Sequence, residues 1–499
     1  MQKNSMSLRH IIWFVADQLR ADSVGCFGNE AVSTPHMDAL AREGAAFSEA
    51  YCQNPVCTPS RCSFLTGWYP HTQGHRTMQH MMRADDPDIL QTMKDAGYEV
   101  VWAGRNDFIP GSRSKEPYCD HYFNGIDLED HVHDQRSPGP AAFGAGRSSA
   151  EPSPVMRGFE SPYSFYLGTL PDGSLAHGYD ANCVSAVIDF LDRYEGDRPL
   201  FIYCTLMNPH PPYVCEDSRL AEVKRERMPS RRPDVEALDG KPEMLSKLRE
   251  RQGLSGWGEP QWDELRATYL GMVGFFDLQL GRLVDKLRER GLYDDTSLFV
   301  FSDHGDYTGD YGIVEKAQNT FEDPLTRVPL IVKPSADITV QAGLHKELVE
   351  LVDLPATTAE IAGIELPYDQ FGVSLVGAIS HGEAPHDAVF CEGGRLPGET
   401  QAMEPYHEPP FPYWPRQSIQ HEEGPAHLKA HMVRMGDLKY VWRMEESDEL
   451  YDLEKDPLET RNQIANPDYR DHVTRLRERL LRHLIETGDR VPEKMDSRF

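Results

Sequence analysis

The sequence predicts an α/β fold, in which helices cover both faces of a mostly parallel sheet, followed by a smaller unit. Three observations lead to this prediction: continuous apolar runs of strand length, helical patterns between them, and polar side chains where the runs end. Continuous apolar strands are typical of parallel sheets buried on both faces, whereas half-exposed strands alternate apolar and polar residues. Alternation of such strands with helices predicts a doubly wound sheet.

Four apolar runs are predicted to be strands of this sheet. They span residues 11–16, 99–103, 200–204 and 297–301. Polar residues follow each run closely, and ligands of open α/β sheets bind at the carboxyl ends of the strands. The side chains expected around this one crevice are Asp17, Gln18, Arg105, His210, Asp303 and His304.

Two helices are predicted from their end signals and from their apolar spacing. Thr34 and Pro35 predict a helix start under the N-cap and N1 rule, and this helix is expected to end near Gly44. Apolar residues recur every three or four positions over about 263–290, and Gly291 follows as a helix terminator. These patterns supply the helices that the α/β prediction requires.

The composition of the chain changes towards its carboxyl end. We expect a large α/β domain over residues 1–378, which carries the site, and a smaller C-terminal α+β subdomain over residues 379–499. Residues 134–162 are rich in Pro, Gly, Ser and Ala and predict a surface loop, whereas the charged residues 213–260 predict an insertion that covers the site. The elements predicted in the subdomain are antiparallel strands over 431–434 and 438–442 and a charged amphipathic helix over 468–487.

Charge and composition argue against several classes of function. The chain has 499 residues and a formal net charge of −29, which disfavours nucleic acids and anionic membranes as partners. The apolar run 11–16 is too short for a membrane span of about twenty residues or a signal-peptide core of at least about seven. Nine thinly spread cysteines do not resemble a secreted disulfide framework. We therefore expect a cytoplasmic protein, and the sequence leaves open whether it forms homo-oligomers.

The segment from Cys57 to Gly67 carries the most chemical information. Thr58 and Pro59 predict a short helix that starts directly after Cys57 and ends at Gly67. At a helix amino terminus, free N–H groups and the helix dipole are expected to lower the pKa of the Cys57 thiol. Arg61 lies in the first turn and is expected to bind the same anion. A buried structural cysteine is the alternative interpretation.

The segment Cys57-Thr58-Pro59-Ser60-Arg61, followed by Leu65-Thr66-Gly67, resembles the signature of the type I, formylglycine-dependent sulfatases. Further segments match this family in its own order. They are Asp17-Gln18, Asn208-Pro209-His210-Pro211, Ser302-Asp303-His304-Gly305, residues 309–331 and residues 449–462. The resemblance covers most of the chain and implies an alkaline-phosphatase-like fold, with a mixed, mostly parallel sheet flanked by helices.

The resemblance implies that the chain hydrolyses a sulfate monoester of a sugar or an aryl alcohol. In this family a separate formylglycine-generating enzyme oxidises the signature cysteine, here Cys57, to formylglycine. The hydrated aldehyde attacks the sulfur, and its second hydroxyl then expels the sulfate and restores the aldehyde. The resemblance also implies one divalent metal ion, which lowers the pKa of the hydrate and neutralises charge. The expected metal ligands are Asp17, Gln18, Cys57, Asp303 and His304.

Oxygen atoms dominate this ligand set, which contains a single imidazole. A hard divalent cation fits such a set best, so we expect Ca²⁺ first and Mg²⁺ or Mn²⁺ next. The resemblance assigns catalytic contacts to Arg61, His210 and Lys316 beside Cys57. Fixed cations at such positions stabilise the charge that develops in the transition state.

The chain departs from the family after the strand predicted over 99–103. Many sulfatases carry Gly-Lys and a nearby His where this chain has Gly104-Arg105-Asn106-Asp107. Arg105 is expected to bind the anion in place of the lysine, and Asn106 to donate a hydrogen bond to the substrate. Asp107 cannot replace the histidine, because two anions repel each other. His75 follows the nucleophile helix and is expected to line the same pocket.

A second departure is Gln18, which replaces the more common Asp. Gln also occurs at this place in choline sulfatases and phosphonate monoester hydrolases, so the first alternative function is hydrolysis of a phosphonate monoester or a phosphodiester on the same scaffold. A non-enzymatic binding protein is a second alternative, against which the intact Cys57 and metal-ligating residues argue. The aromatic segment 405–415 is expected either to stack on a sugar ring or to pack between domains.

Overall fold

The computed structural model describes residues 9–133, 166–409 and 411–489, so the loop predicted over 134–162 lies outside the described residues. The strands of the described ranges are β1 (His10–Asp17), β2 (Ala45–Tyr51), β3 (Glu99–Gly104), β4 (His121–Phe123), β5 (Tyr166–Leu170), β6 (Leu200–Pro209), β7 (Tyr213–Glu216), β8 (Thr296–Ser302), β9 (Arg327–Lys333), β10 (Gly343–His345), β11 (Val349–Glu350), β12 (Val389–Gly393), β13 (Ala430–Met435), β14 (Leu438–Arg443) and β15 (Glu449–Asp452).

The α-helices of the same ranges alternate with these strands. They are α1 (Pro35–Glu43), α2 (Cys57–Thr66), α3 (Pro70–Gln73), α4 (Ile89–Asp95), α5 (Tyr179–Arg193), α6 (Asp217–Glu222), α7 (Glu243–Gln252), α8 (Glu259–Glu289), α9 (Asp323–Thr326), α10 (Leu354–Ala362), α11 (Val376–His381), α12 (Trp414–Glu422) and α13 (Arg470–Thr487). The long helix predicted over 263–290 begins earlier, at Glu259, where the Gln261 side chain accepts a hydrogen bond from the Gly258 N–H at 3.0 Å.

The main sheet has nine strands in the order β10-β2-β9-β8-β1-β6-β3-β4, with β11 beside β2. Strands β8, β1, β6, β3 and β4 are parallel, whereas β9 is antiparallel to both β8 and β2. The expected mixed, mostly parallel sheet is therefore confirmed. The four strands predicted from apolar runs are the adjacent central group β8-β1-β6-β3.

Strand β1 explains why these strands are apolar throughout. Successive side chains of a strand point to opposite faces. Phe14 packs on one face against Phe276 of α8, with ring centroids 5.0 Å apart. Trp13 packs on the other face against Phe64 of α2, with ring centroids 6.1 Å apart. Both faces of the sheet are thus covered by helices, so side chains on both sides of β1 are buried.

The last four strands form a separate antiparallel sheet in the order β12-β13-β14-β15. The strands predicted over 431–434 and 438–442 are confirmed as parts of β13 and β14. Helix α13 packs on one face of this sheet, where Leu476 and Leu480 join Tyr440 in a buried cluster. The other face packs against residues that precede the sheet in sequence, and the domain division at 378 and 379 stays a prediction.

The charged insertion predicted over 213–260 contains β7, α6 and α7. Arg249 of α7 donates a hydrogen bond to the Gly312 carbonyl at 2.7 Å, and the side chain of Gln252 accepts one from the Val314 N–H at 3.1 Å. The insertion therefore binds the backbone of residues 312 and 314, in the loop that leads to Lys316.

Two further findings concern sequence-wide expectations. No helix within the described ranges is long and apolar enough to cross a membrane. All nine cysteines are free thiols, of which only Cys26 is partly exposed.

Candidate active site

Polar side chains from four adjacent strands meet at one edge of the main sheet. Asp17 ends β1, Arg105 follows β3, His210 follows β6 and Asp303 follows β8. Because these strands are parallel neighbours, their carboxyl ends lie side by side. Three of the four side chains are almost completely buried, and Arg105 is partly exposed.

Helix α2 brings two further residues, Cys57 and Arg61, to this edge. The Ser60 N–H donates to the Val56 carbonyl at 3.2 Å, so Cys57 belongs to the first helical turn instead of preceding it. Gly67 ends the helix as predicted, with a positive φ of 73° that favours glycine. Every residue of the helix is buried, so the helix is fixed on all sides.

Four potential metal ligands converge where α2 meets the strand ends. Asp17, Cys57, Asp303 and His304 each contribute one ligand atom, and these atoms all lie within 4.8 Å of one another. The Cys57 Sγ lies 3.2 Å from His304 Nε2 and 3.7 Å from an Asp17 carboxylate oxygen. Two carboxylates, one imidazole and the position 57 side chain form a donor set that fits a divalent cation.

The orientation of the His304 ring also fits a ligand. Its Nδ1 lies 2.9 Å from the Gly305 carbonyl, which can only accept a hydrogen bond. Nδ1 therefore carries the proton, and the lone pair of Nε2 points towards Cys57. Burial lowers the pKa of His304, which keeps the ring neutral.

Arg61 is completely buried and holds the two acidic residues of this cluster. It donates to Asp303 through Nε at 3.0 Å and to Asp17 through Nη2 at 2.8 Å. Burial by itself disfavours the Asp17 carboxylate, but Arg105 and Arg61 outweigh it and hold the pKa of Asp17 well below its usual range. Both carboxylates are therefore preorganised and available to a cation.

The expected low pKa of Cys57 is wrong. Burial and the neighbouring Asp17 carboxylate raise the pKa of the Cys57 thiol instead. The helix terminus offers only a partial positive charge, which cannot compensate for the loss of water and a full negative charge close by. The unmodified residue is thus a neutral thiol.

Gln18 links the cluster to a third cation. Its amide oxygen accepts a hydrogen bond from Lys316 Nζ, and its Nε2 donates to Asp306 Oδ2 at 2.5 Å. The Gln18 backbone N–H donates to Asp303 at 3.0 Å. The amide oxygen that was predicted to bind the metal is therefore occupied by Lys316, and the metal role of Gln18 stays a prediction.

Asp306 was missed in the sequence, although it follows Asp303 in the same strand-end loop. It accepts hydrogen bonds from Gln18 and from the Tyr213 hydroxyl, the latter at 2.9 Å. Burial, together with Glu315, raises the pKa of Asp306 to about 6. Its position three residues after Asp303 is the only local signal, because its partners come from distant segments.

Arg105 reaches the cluster from the neighbouring strand. Its Nη1 lies 2.7 Å from Asp17 Oδ2, and its Nε lies 2.5 Å from Asp107 Oδ2. Burial raises the pKa of Asp107, while Arg105 opposes that shift. Asp107 therefore acts on the site through Arg105.

His210 meets an aromatic residue from the C-terminal part of the chain. Its Nδ1 lies 2.6 Å from the Pro211 carbonyl and must carry the proton, so Nε2 accepts a hydrogen bond from the Tyr413 hydroxyl at 3.3 Å. Burial and the nearby Lys316 lower the pKa of His210 well below its ordinary value. Within the aromatic segment 405–415, Tyr413 thus reaches the site.

Two predicted substrate contacts are not brought to the cluster. The Asn106 amide donates to the Ile109 carbonyl at 3.0 Å and accepts from the Ile109 N–H at 3.2 Å, because an Asn at a turn bonds its own backbone. His75 lies between the His80 carbonyl and an Asp86 carboxylate oxygen, each at 3.0 Å. Both side chains are occupied by their own loops, so neither prediction is supported.

The fold and the site together define a class of enzyme. Ligands for a hard cation beside a buried Arg61 and a buried Lys316 suit the transfer of an anionic group from an ester, and the fold is that of alkaline-phosphatase-like hydrolases. The model of the sulfatase family matches residues 9–364. The chain belongs to the sulfatase family, and it is a hydrolase of sulfuric ester bonds.

Three known proteins are similar to this chain over almost its whole length. An arylsulfatase of Clostridium perfringens is 25% identical, over 95% of this chain and 94% of its own length. A multifunctional alkaline phosphatase superfamily protein of Trinickia caryophylli is 26% identical, over 97% of both chains. A solved phosphonate monoester hydrolase of Agrobacterium radiobacter has a TM-score of 0.74 at 22% identity, over 96% of both chains. The last likeness establishes the shared fold.

Proposed function

We propose that this sulfatase cleaves a sulfate monoester of a sugar or an aryl alcohol, using formylglycine made from Cys57 and one divalent cation. The convergence of Asp17, Cys57, Asp303 and His304 within 4.8 Å carries the proposal. These residues, with Gln18 as a further ligand, would hold the cation, and Ca²⁺ is the first expectation for such an oxygen-rich set. A formylglycine-generating enzyme would be the partner during maturation.

The chain's own residues have separate tasks in this proposal. Arg61 holds the two carboxylates in place, while Arg105 and Lys316 bind the oxygens of the transferred sulfate. His210 keeps its Nδ1–H on the Pro211 carbonyl, so Nε2 would contact the leaving-group oxygen only after it gains a proton and releases the Tyr413 hydroxyl. When bound, the cation neutralises charge on the sulfate, and the hydrated aldehyde at position 57 supplies the attacking hydroxyl.

The maturation step is tested by expressing the chain together with a formylglycine-generating enzyme. Mass spectrometry of the peptide that contains position 57 should show the aldehyde, and the protein should hydrolyse 4-nitrophenyl sulfate. Cys57→Ala should be inactive under the same conditions. Full turnover by protein that carries only the Cys57 thiol would contradict the proposal.

Metal dependence is tested with the matured protein and a chelator. We expect chelation to abolish hydrolysis and to lower the melting temperature, because a ligand that binds only the folded state stabilises it. Returning Ca²⁺, Mg²⁺ or Mn²⁺ separately identifies the ion. Asp303→Asn should lose both the activity and the metal-induced shift in melting temperature. Unchanged activity after complete removal of metal would refute the metal role.

The second candidate is hydrolysis of a phosphonate monoester or a phosphodiester. Gln18 favours it, because its neutral amide stands where many sulfatases have a carboxylate. Turnover of 4-nitrophenyl sulfate compared with that of 4-nitrophenyl phenylphosphonate separates the two functions. A higher kcat/KM for the phosphonate would make it the preferred substrate class.

A further inference from the structure

Besides Asp306, two carboxylates of the site belong neither to the proposed metal ligands nor to the proposed substrate contacts. Asp107 Oδ2 lies 2.5 Å from Arg105 Nε, and Glu315 Oε2 lies 3.6 Å from Lys316 Nζ. Each carboxylate therefore stands beside one of the two cations that are proposed to bind the transferred group. Neither carboxylate is required to keep its cation charged, since Arg and Lys are charged at neutral pH without help.

The surroundings of Glu315 show that its charge acts on Lys316. Glu315 is only 5% exposed, and its carboxylate oxygens accept no hydrogen bond from the residues that the structure describes. Its other cationic neighbour, Arg416 at 3.5 Å, is already bound by Glu404, with Nε and Nη2 each 2.9 Å from a carboxylate oxygen. Glu404 thus neutralises the charge of Arg416. The charge of Glu315 therefore acts mainly on the charge of Lys316.

Asp107 acts on Arg105 in the same way. The Arg105 guanidinium lies between Asp107 and Asp17, whose carboxylate oxygen is 2.7 Å from Nη1. Arg61, the remaining cation, is already shared between Asp17 and Asp303. Arg61, Arg105 and Lys316 therefore each have at least one carboxylate oxygen within 3.6 Å.

Such carboxylates weaken the binding of any anion, and they weaken it more for an anion of higher charge. Sulfate monoesters, phosphonate monoesters and phosphodiesters carry one negative charge, whereas phosphate monoesters carry two near pH 8. In a buried site with little water, Coulomb repulsion is screened much less than in solution. The two extra carboxylates thus discriminate between esters by charge.

We propose that Asp107 and Glu315 select monoanionic esters against dianionic phosphate monoesters by partly neutralising Arg105 and Lys316. This inference rests on the proposed function, in which these two cations bind the transferred group. It treats Asp107 and Glu315 as positioning residues that set the charge of the site without touching the reacting atoms.

The test uses the isosteric variants Asp107→Asn and Glu315→Gln in the matured enzyme. At pH 8, the ratio of kcat/KM for 4-nitrophenyl phosphate to that for 4-nitrophenyl sulfate should rise about tenfold in each variant and about a hundredfold in the double variant. Glu399→Gln is the matched control for Asp107→Asn, because Glu399 pairs with Arg76 at 2.7 Å and is partly buried as Asp107 is. The control should leave the ratio unchanged.

Binding without turnover provides a second measurement. The unmatured protein with the Cys57 thiol is titrated calorimetrically with phenyl phosphate and with phenyl sulfate. Each variant should bind phenyl phosphate about tenfold more tightly than the wild type does, with a smaller gain for phenyl sulfate. If one variant does not fold, the other one decides, since the two carboxylates lie on different loops.

The outcomes separate this inference from the proposed function. A matured wild type that hydrolyses no sulfate ester overturns the proposed function. A wild type that hydrolyses the sulfate ester, with unchanged ratios and affinities in both folded variants, overturns the charge selection alone. A rise in the ratio for Glu399→Gln equal to that for Asp107→Asn also overturns it, because the effect would then not depend on the site.

Discussion

Arg61 joins the nucleophile helix to two strand ends through a single guanidinium group. Besides its bonds to Asp17 and Asp303, it donates to the Thr205 hydroxyl through Nη1 at 2.6 Å. The sequence predicts Arg61 as an anion-binding residue, but not as the partner of these carboxylates. Asp17 is 44 residues away and Thr205 is 144 residues away, so no local pattern connects them.

Replacing Arg61 with lysine tests this arrangement. One ammonium group cannot reproduce the three directed bonds of the guanidinium. We expect Arg61→Lys to lower kcat/KM for 4-nitrophenyl sulfate by about a hundredfold or more and to lower the melting temperature. Arg76→Lys is the control and should change activity little. Activity of Arg61→Lys close to that of the wild type would contradict the positioning role.

His386 gives the protein a pH-dependent contribution to stability. Its Nε2 lies 2.8 and 2.9 Å from the two carboxylate oxygens of Asp353. Burial opposes the charged ring, but Asp353 outweighs it and raises the pKa of His386 to about 9. The folded state therefore binds this proton more tightly than the unfolded state does. The stabilisation is complete below about pH 6.5 and is lost as the pH rises through about 9.

His386→Gln should remove this contribution. The free energy of unfolding of the wild type should exceed that of the variant by up to roughly 3 kcal/mol more at about pH 6 than at about pH 10. Urea unfolding of both proteins at several pH values measures the difference. A difference that does not change with pH would show that the proton on His386 contributes nothing.

Helix α1 begins at the predicted residue, but a distant side chain caps it. Thr34 was expected to cap the helix, yet its hydroxyl accepts the Gly25 N–H at 2.9 Å. Asp277 of α8 accepts the N–H groups of His36 at 3.1 Å and Met37 at 2.7 Å instead. The free donors of the first turn are thus satisfied by a tertiary contact, which no rule for neighbouring residues predicts.

Variants of Asp277 test this cap. Asp277→Ala removes both acceptor bonds and should reduce the free energy of unfolding by roughly 1–2 kcal/mol. Asp277→Asn keeps one acceptor oxygen and should lose less, because burial raises the pKa of Asp277 to about 7 and a neutral side chain is tolerated there. Urea unfolding at pH 7 gives both values. Equal losses in the two variants would argue against the cap.

The C-terminal sheet is bonded to the rest of the molecule close to the site. Lys439 of β14 is completely buried and donates to the Phe321 carbonyl at 3.1 Å, to Glu459 at 2.7 Å and to Asp323. Phe321 and Asp323 follow Lys316 in the same stretch of chain. The smaller sheet therefore helps to fix a segment of the proposed site, whatever the exact domain boundary.

Lys439→Met tests the importance of this connection for the whole molecule. It removes the buried cation that Asp323 and Glu459 share, so we expect a loss of roughly 3–5 kcal/mol in the free energy of unfolding. Lys455→Met is the control, because the Lys455 side chain is exposed to solvent in its pair with Asp452 and its loss should lower the free energy of unfolding much less. Similar losses in both variants would contradict the argument.

Local sequence patterns were enough to predict the central strands, the start of α1, the end of α2 and the residue types at the strand ends. These depend on apolar periodicity and on Pro and Gly signals within a few residues, as with β1 and the end of α2 at Gly67. The strand ends also placed Asp17, Arg105, His210, Asp303 and His304 in one crevice, because parallel strands share an edge, whereas Cys57 joined this set through the resemblance to sulfatases.

Other features emerge only in the folded chain: the antiparallel direction of β9, the high pKa of Cys57, and the contacts of Asp306 and Tyr413. Each depends on burial or on residues far apart in the chain, which local patterns cannot encode. Asn106 and His75 illustrate the same limit, since their polar side chains are occupied by their own loops. Short sequence segments thus indicate the kind of chemistry. The protonation state and the hydrogen-bond partners of each side chain are set only when the chain folds.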